Sequence, residues 1–128
     1  MSHREAICTD AAPAAIGPYS QAIRVGSTVW LSGQIALEPS TMTLVGETAA
    51  DQARQALQNL GAVLGAAGMG FGNLAQCTIF LTDLNDFDAV NAVYGEFMPE
   101  PPPARATVEV SRLPKDVLVE ISGVAVDS

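Results

Sequence analysis

Runs of apolar residues at strand or helix spacing divide the chain into predicted elements. Residues 22–25 and 28–31 are rich in β-branched and other apolar side chains and flank Gly26-Ser27. Glycine in the first position of a two-residue loop is typical of a type II′ turn, so this segment is predicted to be a β-hairpin. The same kind of composition predicts three further strands, at residues 76–82, 104–110 and 117–126.

A first helix is predicted between Thr48 and Gly68. Thr48 followed by Asp51 resembles a capping box, and glycine is a common helix end. Apolar residues recur at helical spacing through the segment: Ala53, Ala56, Leu57, Leu60, Val63, Leu64 and Ala67. Gly61 and Gly65 leave two interpretations open, a helix face in close contact with another element or a loose helix without such a contact.

A second, shorter helix is predicted between Asn85 and Pro99. Asn85 is a favoured N-cap residue, Asp86 and Asp88 in the first turn suit the helix dipole, and proline stops the helix. The apolar stripe of this helix consists of Phe87, Val90, Tyr94 and Phe97. The prolines at 101–103 then favour an extended lead-in to the next strand.

The order strands, helix, strand, helix, strands predicts an α+β fold in a single domain over residues 1–128. Two helices can cover only one face of a mixed sheet of about six strands. The other face carries too many apolar residues to remain in water, and the chain has no further element to cover it. We therefore expect a symmetric homo-oligomer.

Charge and composition argue against several classes of partner. The chain has 14 acidic residues against 6 Lys and Arg, and the net charge of −8 disfavours nucleic acids and anionic membrane surfaces. No apolar run is long enough to span a bilayer, and no signal-peptide core is recognised, so a cytoplasmic location is expected. Cys8 and Cys77 are predicted to be free thiols, with a disulfide between them as the open alternative.

The residue types present also argue against the common catalytic centres. The only histidine is His3, which removes Ser–His and Cys–His catalysis and histidine-based metal sites. Asp83, Asp86 and Asp88 lie where helix capping explains them, so no metal site is expected. The glycines of segment 65–72 follow a helix instead of opening one, and offer no helix N-terminus to a phosphate. No cofactor is expected.

Arginine and glutamate in the last two strands remain as candidates for chemistry. Alternation places Arg105, Thr107 and Glu109 on one face of their strand. Glu120 lies in an apolar run, where a carboxylate is unfavourable unless it is paired, hydrogen-bonded or at a cleft. If the two strands are neighbours, Arg105 and Glu120 share a pocket wall. A structural ion pair, or edge charges that face solvent, is the alternative interpretation.

Seven segments in order resemble the RidA/YjgF family of reactive intermediate deaminases over nearly the whole chain. They are Ala12-Pro-Ala-Ala-Ile-Gly-Pro-Tyr19, Ser32-Gly-Gln-Ile35, Gln52-Ala-Arg-Gln55, Asp83-Leu-Asn-Asp-Phe87, Val90-Asn-Ala-Val-Tyr94, Pro103-Ala-Arg105 and Val108-Glu-Val-Ser-Arg-Leu-Pro-Lys-Asp-Val117. A single fragment of this kind is a weak signal. The order of all seven, and the spacing from Arg105 through Leu113-Pro114 to Glu120, make the resemblance specific.

This resemblance implies a chorismate-mutase-like α+β fold and a homotrimer with its sites in clefts between subunits. It implies hydrolysis of 2-iminobutanoate and 2-iminopropanoate to 2-oxo acids and ammonia, without metal or cofactor. Arg105 is then expected to bind the substrate carboxylate, and Glu120 to orient or activate the attacking water. The other residues implied to contact the substrate are Gly33 and Thr107, through backbone donors, and Tyr19, Ser32 and Asn91.

The resemblance leaves the function partly open. A non-catalytic protein that binds 2-oxo acids through the same pocket is the main alternative, and an RNA-cleaving or translation-inhibiting protein is a third that the acidic charge disfavours. Thr107 replaces a cysteine found in many members. The short, proline-rich segment 99–103, with Pro102 in place of an aromatic residue, leaves the size of the substrate open. The enzyme that supplies the substrate is also left open.

Overall fold

The computed structural model describes residues 3–127, in which two helices pack on one face of a mixed six-stranded sheet. The strands are β1 (Glu5–Ile7), β2 (Ala22–Val25), β3 (Thr28–Gln34), β4 (Leu74–Leu81), β5 (Ala104–Glu109) and β6 (Val119–Val126), and the helices are α1 (Ala49–Ala66) and α2 (Phe87–Phe97). The order across the sheet is β1-β2-β3-β6-β4-β5, and only β4 and β5 are parallel. The predicted α+β class with a mixed sheet is confirmed.

The core lies between the sheet and the two helices. α1 presents the apolar stripe that its sequence predicts, and Leu57, Leu60, Val63 and Leu64 are fully buried. The inward positions of the central strands are buried with them: Val29, Leu31, Cys77, Ile79, Leu81, Val119 and Ile121. Neither helix of the described segment is both long and apolar enough to cross a membrane.

The turn and the ends of α1 follow the sequence signals. Gly26 has a φ of +60° in the two-residue loop between β2 and β3, as the hairpin prediction requires. The Thr48 hydroxyl accepts a hydrogen bond from the backbone N–H of Asp51 at 3.1 Å, and Gly68, with a φ of +75°, follows the end of the helix. These local predictions are confirmed.

The predicted N-cap of α2 is wrong. α2 begins at Phe87, after a short 3₁₀ turn at Leu84–Asp86, and Asn85 lies inside this turn. The carboxylate of Asp83 accepts a hydrogen bond from the backbone N–H of Asn85 at 2.9 Å. The side-chain cap therefore lies two residues earlier than predicted, at Asp83, and it caps the 3₁₀ turn that precedes α2.

The two helix glycines have different surroundings. A Cβ added at Gly61 would lie 2.9 Å from the ring of Phe71, whereas one added at Gly65 would meet no atom within 4 Å. The close-contact interpretation therefore holds at Gly61 and fails at Gly65.

We expect Gly65→Ala to raise the free energy of unfolding by about 0.5–1 kcal/mol, because alanine restricts the unfolded chain and fits an open helical position. Gly61→Ala makes the same chemical change against the Phe71 ring and should stabilise less, or destabilise. Urea denaturation of both variants measures the difference. Equal stabilisation by the two would contradict the packing described at Gly61.

The face of the sheet opposite the helices, here called the open face, carries several exposed apolar side chains that no helix of residues 3–127 covers. Trp30 is 49% exposed and Val108 is 40% exposed. By register and alternation, this face also carries Ile23, Phe80, Val124 and Glu120. An exposed apolar sheet face of this kind is typical of a surface that another molecule covers.

Candidate functional site

Arg105 lies on the helical face of the sheet, where α2 holds it. Nη1 of Arg105 donates a hydrogen bond to Oδ1 of Asn91 at 2.7 Å. The guanidinium carbon lies 5.0 Å from the ring centroid of Tyr94 and 5.5 Å from that of Phe87. Both distances are within the range of cation–π attraction. Thr107 lines the same side of β5, as alternation predicts.

The charge of Arg105 is not matched by an acid. Arg24, Arg54 and Arg112 each lie within 4.0 Å of an Asp or Glu carboxylate. Arg105 has no such partner among residues 3–127, and it borders a cleft of about 450 Å³ with Asn91 and part of the 99–103 segment. A guanidinium that has no carboxylate partner can donate its remaining N–H groups to a bound anion.

Glu120 lies on the open face and packs against the bare backbone of Gly33. A Cβ added at Gly33 would come within 2.2 Å of Oε2 of Glu120, so only glycine leaves room for the carboxyl group there. Glu120 is half-buried, and burial raises the pKa of its carboxyl above the ordinary value. No Lys, Arg or His of residues 3–127 forms an ion pair with it.

Glu120 shares a cavity of about 600 Å³ with Tyr19 and Ser32, whose walls are otherwise largely apolar. The Ser32 hydroxyl donates a hydrogen bond to the carbonyl oxygen of Ser20 at 2.6 Å, which fixes the loop that carries Tyr19. One extra residue in β3 between Leu31 and Gln34 forms a bulge that includes Gly33. A bulge leaves one residue outside the regular ladder of hydrogen bonds.

Three buried polar side chains that sequence reasoning missed tie together the segments around this cavity. Gln21 donates to the carbonyl of Pro13 at 2.8 Å and ties the N-terminal segment to the sheet. Gln52 accepts from the backbone N–H of Leu118 at 2.8 Å, just before β6, and Asn59 donates to the carbonyl of Leu37 at 2.9 Å. Gln52 and Asn59 are polar residues on the buried stripe of α1, and that departure from the apolar pattern is the signal that could have identified them.

The strands of Arg105 and Glu120 are not neighbours, so the condition for a shared pocket wall within one chain is not met. β4 lies between β5 and β6, and register aligns Arg105 with Cys77 and Gly123. Two strand spacings and three residues along β6 separate the Cα atoms of Arg105 and Glu120 by about 14 Å. The two side chains also point to opposite faces of the sheet. Arg105 pairs with Cys77 and Glu120 pairs with Phe80, and residues three positions apart on one strand face opposite sides.

The structure thus places the predicted site residues in two groups. Arg105, Asn91 and Thr107 form the half-site on the helical face, here called the arginine half-site. Tyr19, Ser32, Gly33 and Glu120 form the half-site on the open face, here called the glutamate half-site. Each half-site opens to solvent in the single chain, and the two do not meet.

Other titratable side chains do not add a metal site to either group. Within residues 3–127, no three His, Cys, Asp or Glu residues are placed to hold a metal ion. Cys8 is exposed and Cys77 is buried, and both are free thiols, so the disulfide alternative is wrong. Burial raises the pKa of the Cys77 thiol, which keeps it protonated and unreactive at neutral pH.

The fold places this chain in the class of α+β domains with two helices on a mixed six-stranded sheet, and similarity to known proteins gives the family. A family model described as Endoribonuclease L-PSP matches residues 9–127. The chain is 57% identical over 122 residues to a RutC family protein of Synechocystis, covering 94% of each protein. It therefore belongs to this family, the RidA/YjgF family that its motifs resemble.

Two further relatives describe the range of names within the family. A human protein named 2-iminobutanoate/2-iminopropanoate deaminase is 46% identical over 123 residues, which cover 96% of this chain and 90% of that protein. The crystal structure of Escherichia coli TdcF with bound serine superposes with a TM-score of 0.91 at 44% identity, and the match covers 97% of this chain and 99% of TdcF. The likeness in structure confirms the fold.

Proposed function

We propose that the protein hydrolyses small, reactive 2-imino acids, such as 2-iminobutanoate and 2-iminopropanoate, to 2-oxo acids and ammonia. The observation that carries the proposal is a half-buried, unpaired Glu120 carboxyl whose pKa is raised, in an open cavity beside Tyr19 and Ser32. Arg105, which has no acidic partner within residues 3–127, supplies the complementary group for a carboxylate. The name of the human relative supports this reaction.

The chemistry needs only positioning and one group that moves protons. The guanidinium of Arg105 binds the substrate carboxylate, with backbone donors at Gly33 and Thr107, and Asn91 limits its rotation. The Glu120 carboxylate takes a proton from water as the oxygen bonds to the carbon of the protonated imine, and the C=N electron pair moves to nitrogen. Glu120 then donates this proton to nitrogen, and the C–N bond breaks with its electron pair on the leaving ammonia. The hydroxyl proton passes to Glu120 as the C=O bond of the 2-oxo acid forms, and from Glu120 to ammonia, which leaves as ammonium. A raised pKa suits a base that must also act as an acid near neutral pH.

This proposal requires a second copy of the chain. One sheet separates the arginine half-site from the glutamate half-site, so a substrate can contact both only if they come from different protomers. Packing of open faces would also bury Trp30 and Val108. We therefore propose a homotrimer with its sites between subunits, in which the number three rests on the family resemblance.

A non-catalytic protein that binds small amino or oxo acids is the second candidate. The serine bound to TdcF supports it, because a bound amino acid shows that a relative takes up a small carboxylate. The description of the family model also raises RNA cleavage. RNA binding depends on clustered cations, and here 14 acidic residues outnumber 6 Lys and Arg.

A coupled assay separates catalysis from binding. A pyridoxal-phosphate dehydratase generates 2-iminobutanoate, and release of 2-oxobutanoate is followed with and without catalytic amounts of this protein. We expect acceleration by the wild type and a loss of about 10- to 150-fold in kcat/KM for Arg105→Ala, the effect of a lost charged hydrogen bond. Arg54→Ala, which removes an arginine paired with Glu96 on the surface, is the matched control and should change the rate less than about twofold. Binding of 2-oxobutanoate without any acceleration by the wild type would leave only the second candidate.

A further inference from the structure

One face of α2 is arranged around the guanidinium of Arg105. Phe87, Asn91 and Tyr94 follow at spacings of four and three residues, which places their side chains on one face of the helix. Two of them contact Arg105 with aromatic rings, at 5.5 and 5.0 Å, and the third accepts its hydrogen bond. Three residues of one helix face thus contact the guanidinium, and no carboxylate of residues 3–127 pairs with it.

We propose that Phe87 and Tyr94 are positioning residues, which fix the Arg105 guanidinium by cation–π contact so that its N–H groups receive the carboxylate of a small acid. An aromatic ring attracts a guanidinium without neutralising it, whereas an acidic partner would compete with the ligand for the same donors. The inference rests on the proposed function in one respect, that the ligand of Arg105 is a carboxylate.

The ring of Tyr94, and not its hydroxyl, carries this role. Tyr94 is only 4% exposed, and its hydroxyl lies beside the Cys77 thiol without a hydrogen bond of good geometry within residues 3–127. Burial raises the pKa of Tyr94, so the ring stays neutral and presents no charge to Arg105. Phenylalanine would therefore keep the ring against Arg105 and lose only the hydroxyl's place beside the Cys77 thiol.

Removing a ring should weaken ligand binding more than it slows the chemical step. We expect Tyr94→Leu to raise KM for 2-iminobutanoate about 5- to 30-fold, with kcat changed less than about threefold, because the carboxylate contact is present in substrate and transition state alike. Phe87→Leu should act in the same direction with a smaller effect, since its ring is farther from the guanidinium. Tyr94→Phe, which keeps the ring, should rescue most of the lost affinity.

Phe97→Leu is the matched control for packing. Phe97 is also an aromatic residue of α2, but its ring contacts Phe71 at 5.7 Å between centroids and not Arg105. We expect this variant to lose stability like the others and to keep the wild-type KM. A rise in KM for Phe97→Leu equal to that of Tyr94→Leu would assign the effect to general loosening of α2 and overturn the proposal.

A measurement without turnover tests the same contact. Ring currents should shift the Arg105 side-chain NMR signals upfield in the wild type and in Tyr94→Phe, and Tyr94→Leu should return them toward the values of a free arginine. Arg105→Lys assigns the signals. An unshifted Arg105 in the wild type would overturn the inference even if the protein is an active deaminase. If the wild type shows the shift but accelerates no imine hydrolysis, the proposed function fails and the positioning of Arg105 stands.

Discussion

Replacing Glu120 with glutamine is expected to reduce kcat by about 10²- to 10⁴-fold, the usual contribution of a positioned general base. Glutamine keeps the shape of the side chain against Gly33 but cannot take a proton from water. Binding of the stable product 2-oxobutanoate, measured by calorimetry, should change only a few-fold, because Arg105 supplies the main charge for the carboxylate. The coupled imine assay measures the loss of turnover.

Glu47→Gln is the control for this experiment. Glu47 is exposed, and the substitution changes the charge of the chain by the same amount as Glu120→Gln. We expect its kcat to equal that of the wild type. Loss of 2-oxobutanoate binding in Glu120→Gln, or turnover as fast as the wild type, would remove Glu120 from the role of base.

The pH dependence should identify the same group. Burial raises the pKa of Glu120, and the carboxylate is the active form of this group. We therefore expect kcat to be low at pH values below that raised pKa and to rise as the pH passes through it. The folded protein binds this proton more tightly than the unfolded chain, so ionisation of Glu120 lowers stability as the pH rises from its ordinary to its raised pKa. Glu120→Gln should therefore be at least as stable as the wild type above this range, which separates lost chemistry from lost folding.

Local chemistry explains why the elements were predictable while their arrangement was not. Gly26 and the Thr48 hydroxyl act on residues at most three positions away, and each performs the role that its pattern indicates. The insertion of β4 between β5 and β6 depends on pairing between distant segments, which alternation along one strand does not encode. Sequence could therefore identify Arg105 and Glu120 but could not show that a sheet separates them.

The aromatic residues of α2 show a second limit of sequence reasoning. Phe87 and Tyr94 fit the apolar stripe of a core-facing helix, and Tyr94 is indeed buried. The pattern does not distinguish a ring that only fills the core from one that also contacts a cation, because both occupy the same helix face. Only the position of Arg105 on the neighbouring β5 reveals the second role. Short β1 was missed for a simpler reason, since three residues are too few to show a period.

Mixing two impaired variants should restore activity if each site combines half-sites from different protomers. Arg105→Ala lacks the arginine half-site and keeps the glutamate half-site, and Glu120→Gln has the opposite defect. In trimers reassembled at random from equal amounts, about a quarter of the sites should take an intact Arg105 from one chain and an intact Glu120 from the next. The mixture should then show about a quarter of the wild-type rate at low substrate concentration, whereas each variant reassembled alone should keep its own reduced rate.

A second mixture shows whether the two residues act from one chain or from two. The double variant with both substitutions is reassembled with an equal amount of wild type. Sites between protomers again predict about a quarter of the wild-type rate, because both neighbours must be wild type, while sites within one chain predict about a half. No recovery in the first mixture, together with half activity in the second, would place Arg105 and Glu120 in one chain and contradict the separation by the sheet. A quarter in both would establish that each site takes its carboxylate-binding cation and its base from different protomers, and so explain the opposite faces on which this sequence places them.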